Sequence, residues 1–356
     1  MTEPICVADF ERLAETRLDP GAFGYYAGGA GDERALAGNV AAWARLRLRP
    51  RVLVDVAEVT TGTTVLGTPV SMPLLVAPTA IQKLAHPDGE QGMARAAAAA
   101  GTLMCLSTLA TATPEEVAAA APDAPRWFQL YVFCDRGVTR AFVEQAVEHG
   151  YGAIVLTVDA PRLGRRERDL RTGFRVPEEI TVPSMAAIGD WVGGTPLELL
   201  GAIDPSLDWS DLEELRSLSS LPLVLKGIQT GEDAELACAH GVDAIVVSNH
   251  GARQLDAVAP TAELMQEVVE AVAGRIEVYV DGGIRRGSDV VKALALGARA
   301  VLAGRAPLWG LACDGEAGAT RVLQLLRDEI ELALALCGCP SPDRVAPAHL
   351  GTIGRP

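Results

Sequence analysis

From about Pro73 onward the chain alternates two kinds of segment, short unbroken apolar runs and longer stretches with helical spacing. The runs are PLLVAP (73–78), LMCLS (103–107), RWFQLY (126–131), AIVLTVD (153–159), PLVLKG (222–227), AIVVSNHG (244–251), EVYVDGG (277–283) and AVLAGR (300–305). Runs that do not alternate predict parallel strands covered on both faces, since a half-exposed strand would show a polar residue at every second position. Between them lie Ala-rich amphipathic stretches such as GEQGMARAAAAAG, RGVTRAFVEQAVEHG and GEDAELACAHG, each closing on a Gly suited to cap a helix. Eight such pairs predict an α/β chain folded as a (β/α)8 TIM barrel. The competing doubly wound sheet usually carries a glycine fingerprint after its first strand, and none stands there.

Two segments break the rhythm. Residues 1–72 precede the first barrel strand and read as short helices plus an extended stretch, VLGTPVSMP, expected to form an N-terminal cap over one barrel end. Residues 161–210, after the fourth strand, mix Pro, Gly and charge; a segment that long without strand or helix pattern predicts an active-site lid. Residues 1–356 are expected to make a single domain.

Composition narrows the partners. A formal net charge of −15 argues against nucleic acid or an anionic membrane, though not against an anionic small substrate met by a few arginines. No apolar stretch is long enough to cross a bilayer, and the N-terminus lacks the apolar core of a signal peptide. The seven cysteines, Cys6, Cys105, Cys134, Cys238, Cys313, Cys337 and Cys339, show no metal-binding spacing. They read as incidental thiols of a reducing cytoplasm, with no metal site.

Barrel active sites lie at the C-terminal ends of the strands. Those ends carry Pro78-Thr79-Ala80, Ser107, Gln129 with Tyr131, Thr157 with Asp159, Lys226, Ser248 with His250, Asp281-Gly282-Gly283 and Gly304-Arg305. A barrel without chemistry has little reason to place small or polar groups at every strand end. After the last two strands, DGGIRRG and AGR suit a phosphate: glycines let backbone N–H groups approach it, while Arg285 and Arg305 supply charge. His250 is a candidate base, with Asp159 placed to orient it. Arg166 and Arg253 could grip a carboxylate through paired hydrogen bonds. Lys226, ending an apolar run, admits two readings, a Schiff-base lysine as in barrel aldolases or a fixed cation beside a cofactor ring.

Together the segments YYAGGAGDE (25–33), APTAIQKLAHPDGE (77–90), WFQLYV (127–132), LTVDAPRLGRRERD (156–169), LKGI (225–228), VSNHGARQLD (247–256) and DGGIRRGSDV (281–290) resemble the FMN-dependent 2-hydroxy acid oxidase family, which includes glycolate and lactate oxidases and mandelate dehydrogenase. The resemblance implies FMN as cofactor. It places Pro78, Thr79 and Ala80 near flavin N5, and has Ser107, Gln129 and Thr157 hydrogen-bond the ring. Lys226 falls near N1 and O2, Ser248 near the ribityl chain, and Asp281, Gly283, Arg285, Gly304 and Arg305 at ribityl and phosphate. It makes His250 the base oriented by Asp159, with Arg166, Arg253, Tyr25 and Tyr131 holding an L-2-hydroxy acid. The substrate would lose a proton to His250 and two electrons to N5, preferably by hydride transfer, giving the 2-oxo acid.

Oxygen, reduced to hydrogen peroxide, is the expected acceptor, with a non-oxygen acceptor or a peptide-modifying FMN barrel as alternatives. Ala80 matches oxidases more than mandelate dehydrogenases. Leu109 stands where glycolate oxidases tend to carry a bulky aromatic, which points to lactate, mandelate-like or longer acids rather than glycolate alone. Family usage implies a homotetramer or homo-octamer.

Overall fold

The computed structural model describes residues 3–351 apart from 188, 190–192, 197, 199 and 200. The chain opens with three helices, α1 (Val7–Arg17), α2 (Pro20–Ala27) and α3 (Arg34–Arg45), followed by an antiparallel hairpin of β1 (Thr63–Val65) and β2 (Thr68–Val70). Eight parallel strands follow: β3 (Leu74–Val76), β4 (Met104–Ser107), β5 (Arg126–Leu130), β6 (Ile154–Thr157), β7 (Leu223–Ile228), β8 (Ala244–Val247), β9 (Glu277–Val280) and β10 (Ala300–Ala303). They pair in chain order and close through β10 against β3, so the predicted (β/α)8 barrel is the observed fold.

Every predicted run carries one strand; β6, β8, β9 and β10 stop before the polar ends of their runs, while β4 and β7 take in Ser107 and Lys226. Asp281-Gly282-Gly283 and His250 lie in loops beyond β9 and β8. The glycines closing three of the Ala-rich helices, Gly101, Gly150 and Gly241, have φ of 62°, 69° and 68°. That left-handed conformation strains any residue bearing a Cβ, which is why Gly stands there.

The cap expectation needs correction, because residues 1–72 cover both barrel ends. The VLGTPVSMP stretch is not one extended segment but part of the β1–β2 hairpin. Val65 and Val70 join the buried cluster of Leu75, Cys105, Trp127, Val155, Tyr279 and Leu302 that fills the barrel. Leu66 N–H donates to Glu277 at the start of β9 (3.1 Å), which places the hairpin at the N-terminal end of the strands as a plug. At the opposite end α2 and α3 meet the loops after β8 and β9: Asn39 bonds Asn249, and Trp43 Nε1 donates to the Gly282 carbonyl at 2.8 Å.

Within 161–210 the described residues form two short helices, Glu167–Thr172 and Pro183–Ala186, and pairing of Val176 with Gly194. Among the described residues no helix is long and apolar enough to cross a membrane. All seven cysteines are free.

Candidate active site

The C-terminal strand ends open on a cleft of about 1090 Å³, counting the space open to solvent. Its wall runs from Pro78, Thr79 and Ala80 after β3, through Ser107, Gln129, Thr157 and Lys226 on β4 to β7, to Asp281, Gly283 and Arg285 after β9 and Gly304-Arg305 after β10. Tyr25 enters from α2, Leu109 and Tyr131 follow β4 and β5, Arg166 comes from the segment after β6, and His250 and Arg253 from the loop after β8. Asp159 and Ser248 alone among the expected residues stand behind this wall.

His250 Nδ1 lies 2.8 Å from Asp159 Oδ1, leaving Nε2 facing the cleft 3.5 Å from the Tyr131 hydroxyl. Burial pushes the imidazole below its ordinary value of 6.5, although Asp159 pulls the other way. The ring is therefore neutral near pH 7 and free to accept a proton at Nε2. Burial would raise the Asp159 carboxyl, but His250 and Lys226 outweigh it and hold the group ionised. A carboxylate so placed fixes the tautomer and would stabilise the imidazolium once formed.

The turn carrying the histidine is unusual: His250 and Ala252, neither of them Gly, have φ of 58° and 63°. Asn249 holds it, its Oδ1 accepting from Ala252 N–H (3.1 Å) while its amide exchanges bonds of 2.9 Å with Asn39.

Asp159 in turn depends on Gly227. At the register shift in β7 this glycine has φ of 121°, and a Cβ there would stand 2.7 Å from Asp159 Cβ and 2.9 Å from its Cγ. Gly227→Ala is expected to push Asp159 off His250. It should lower the melting temperature, and slow substrate oxidation about 5- to 150-fold, the worth of roughly 1–3 kcal/mol of backbone strain and misplacement. Melting and single-turnover rates check this, and an unchanged rate would mean that Asp159 needs no such clearance.

A second polar chain lines the floor. Ser107 Oγ donates to Gln129 Oε1 (3.3 Å) and Gln129 Nε2 to Thr157 Oγ1 (3.0 Å). Lys226 Nζ donates to Ser248 Oγ at 3.2 Å and pairs with Asp281 at 3.4 Å. Burial disfavours its ammonium, but Asp281, Asp159 and Tyr131 carry it above its usual value, so the side chain is a fixed cation. A Schiff-base lysine is served by the opposite shift, toward a neutral amine, so the pairing with Asp281 favours the fixed-cation reading. Ser248, expected at the ribityl chain, is buried and also positions two neighbours, accepting from Lys226 Nζ and from His250 N–H (3.1 Å) while its own O–H stays uncommitted.

The cationic end holds Arg166, Arg253, Arg285 and Arg305. Burial and the neighbouring Arg253 bring Arg166 down to about 10, still charged at neutral pH. Arg253 stacks over the Tyr25 ring at 4.9 Å and donates to the carbonyls of Tyr25 and Gly28. The other face of the cap is held by Arg305, which donates to the carbonyls of Tyr26 (2.8 Å), Gly251 (3.0 Å) and Gly28 (2.8 Å). Part of its donor set thus anchors α2, a role the sequence reading did not foresee.

Gly283 likewise owes its lack of a side chain to packing. A Cβ there would sit 2.6 Å from the Asn39 backbone, so the clearance serves α3.

These residues fit a flavin mononucleotide. Asp281 Oδ1 is buried with no partner, as suits an acceptor for a sugar-like hydroxyl. Lys226 is a fixed cation on the floor, and Gly304 opens the Arg305–Cys337 helix, whose first N–H groups and two arginines suit a phosphate.

Sequence reasoning missed Asn39, Asn249, Gly227 and Gln254. Gln254 Nε2 ties the segment after β6 by donating to the carbonyls of Asp159 (3.1 Å) and Arg162 (2.8 Å). Asn249 and Gln254 flank His250 in SNHGARQLD, so their proximity was the available signal; Asn39, in a helix far upstream, gave none.

A profile of the FMN-dependent dehydrogenase family matches residues 14–352. Glycolate oxidase 3 of Arabidopsis thaliana is 49% identical, covering 97% of this chain and 95% of that protein. L-lactate oxidase of Nostoc sp. is 50% identical over 95% of this chain and 96% of that one. Among solved structures, mandelate oxidase superposes with a TM-score of 0.91 at 42% identity, covering 98% of both chains. Fold, cofactor fit and a profile spanning nearly all of the sequence agree: the chain belongs to the FMN-dependent dehydrogenase family, an FMN-using group of oxidoreductases.

Proposed function

We propose that this protein oxidises L-2-hydroxy acids to 2-oxo acids, passing two electrons to FMN and from there to oxygen with formation of hydrogen peroxide. The observation that carries the reading is the His250–Asp159 pair at 2.8 Å, whose free ring nitrogen shares one cleft with Arg166 and Arg253. An imidazole takes a proton, two guanidinium groups hold an anion, and a 2-hydroxy acid presents a hydroxyl one carbon from a carboxylate.

In this reading the carboxylate binds the N–H groups of Arg166 and Arg253 left over from their backbone bonds. Tyr25 and Tyr131 donate to the carboxylate or the hydroxyl; burial pushes the Tyr131 phenol up to about 12, which keeps it a donor. His250 Nε2 removes the hydroxyl proton, and Asp159 stabilises the imidazolium. FMN, when bound, would supply the acceptor at N5 for the α-hydrogen leaving with its electron pair, and Pro78, Thr79 and Ala80 would lie beside it. Lys226 would offset negative charge gathering on the ring, with Ser107, Gln129 and Thr157 bonding its polar edge. Asp281, Arg285, Gly304 and Arg305 would hold ribityl and phosphate.

Names of relatives span glycolate, L-lactate and mandelate, so the side-chain pocket decides the preference. Leu109, buried in the cleft wall, is smaller than an aromatic residue and would leave more room for a substrate side chain. The test is anaerobic bleaching of the bound flavin by glycolate, L-lactate, L-mandelate and longer L-2-hydroxy acids, then reoxidation in air with peroxide assay. The larger acids should bleach fastest. No bleaching by any of them removes the reading, whereas bleaching with slow reoxidation in air replaces oxygen by another acceptor. Leu109→Trp should shift selectivity toward glycolate by about 10- to 200-fold, the usual worth of a filled apolar pocket.

The histidine also sets the pH response. A base whose protonation lies below 6.5 works above that point, so kcat/KM should fall only as pH drops below the ordinary histidine range. Asp159→Asn removes the neighbour that raises His250, moving the acid limb to still lower pH while lowering the plateau. A pH profile of kcat/KM for both proteins checks the sign; a limb displaced upward in Asp159→Asn would contradict it.

A further inference from the structure

The arginines at the phosphate end face an acid that the proposed reaction does not use. Helix α1 buries Val7, Phe10 and Ala14, and Cys313 of the Arg305–Cys337 helix donates to the Phe10 carbonyl at 3.4 Å, so α1 is seated firmly beside the site. Helical spacing puts Glu11 one turn beyond Val7, at the edge of that buried stripe. Its Oε2 lies 3.9 Å from Arg285 Nε. Its charge also acts on Arg305, whose own N–H groups are partly committed to backbone carbonyls. The other carboxylate beside Arg285, Asp289, is already occupied by two backbone N–H groups and by Lys292 at 3.2 Å.

We infer that Glu11 is an internal competitor for the cofactor phosphate, neutralising part of the Arg285–Arg305 field and setting FMN affinity below what the arginines alone would give. The inference rests on the reading of those two arginines as the phosphate site. A phosphate monoester carries about 1.5–2 negative charges near neutral pH, so repulsion from Glu11 falls on the phosphate and not on the isoalloxazine ring. The Arg285 and Glu11 side chains are 21% and 35% exposed, which limits the effect to that of a surface pair, about two- to five-fold in Kd. In return, α1 is tied electrostatically to the cofactor site.

Full-length protein freed of flavin, titrated with FMN and separately with riboflavin by fluorescence quenching, tests this. Riboflavin has the same ring and no phosphate. Glu11→Gln should lower the Kd for FMN about two- to five-fold at low salt, less at high salt, and leave riboflavin unchanged. Glu11→Asp, which keeps the charge, should follow the parent protein. An unchanged or weaker FMN Kd in Glu11→Gln, an equal shift for both flavins, or the same tightening in Glu11→Asp overturns the inference. Arg285→Ala separates it from its premise. That variant should weaken FMN and not riboflavin; if it fails to distinguish them the phosphate reading falls, and if it does while Glu11→Gln has no effect, only the role of Glu11 falls.

Discussion

His250→Asn protein should remain yellow, yet its flavin should be reduced by substrate about 10²- to 10⁴-fold more slowly, the usual contribution of a positioned base. Asn is the better replacement than Ala because His250 has φ of 58°, a conformation Asn tolerates and Ala resists. Asn cannot take up a proton near neutral pH, so the variant removes the chemistry and leaves the turn. Anaerobic stopped-flow at saturating substrate isolates the step. A reduction rate within a few-fold of the parent would take the base role away from His250, whatever the steady-state numbers.

The second large effect is expected at Arg253. Arg253→Met keeps a stem of similar length over the Tyr25 ring but removes a half-buried charge that the proposed function sets against the substrate carboxylate. Such truncations cost about 2–5 kcal/mol, roughly 30- to 5,000-fold in kcat/KM. Arg253→Lys restores the charge without the planar fork and should fall between the two. Because Arg253 also donates to the carbonyls of Tyr25 and Gly28, the melting temperature should drop as well. Comparing a 2-hydroxy acid with its amide separates the roles: the parent should prefer the acid strongly and Arg253→Met should not. An undiminished preference would show that the arginine serves the cap alone.

The barrel was legible because burial on both faces forces strands to be uniformly apolar, a signal that survives without any partner in view. The site was legible because the barrel puts its chemistry at one end of every strand, so Lys226, His250 and Arg305 could be read off as terminal residues. What escaped was set by contacts between distant segments. The hairpin was hidden because its turn is Leu66-Gly67, with φ of 45° and 76°, a pair lacking the usual Asn-Gly signature. Ser248 was read only as a cofactor ligand, and its bonds from Lys226 and His250 came to light through packing. Gly283 was read as a concession to phosphate alone, and packing adds a second demand, the Asn39 backbone 2.6 Å from where a Cβ would stand. In each case a local pattern gave the residue type, and only packing told which neighbour required it.

Arg305 binding the carbonyls of Tyr26 and Gly28 has a consequence for how the protein is made. The partners Tyr26 and Arg305 are 279 residues apart, and the barrel seam likewise joins its first strand to its last. At ~5–20 residues per second of synthesis, roughly 14–56 s pass between the emergence of the two ends. A nascent chain can therefore offer FMN no finished berth until Arg305 has emerged, and cofactor capture waits on synthesis of the whole barrel.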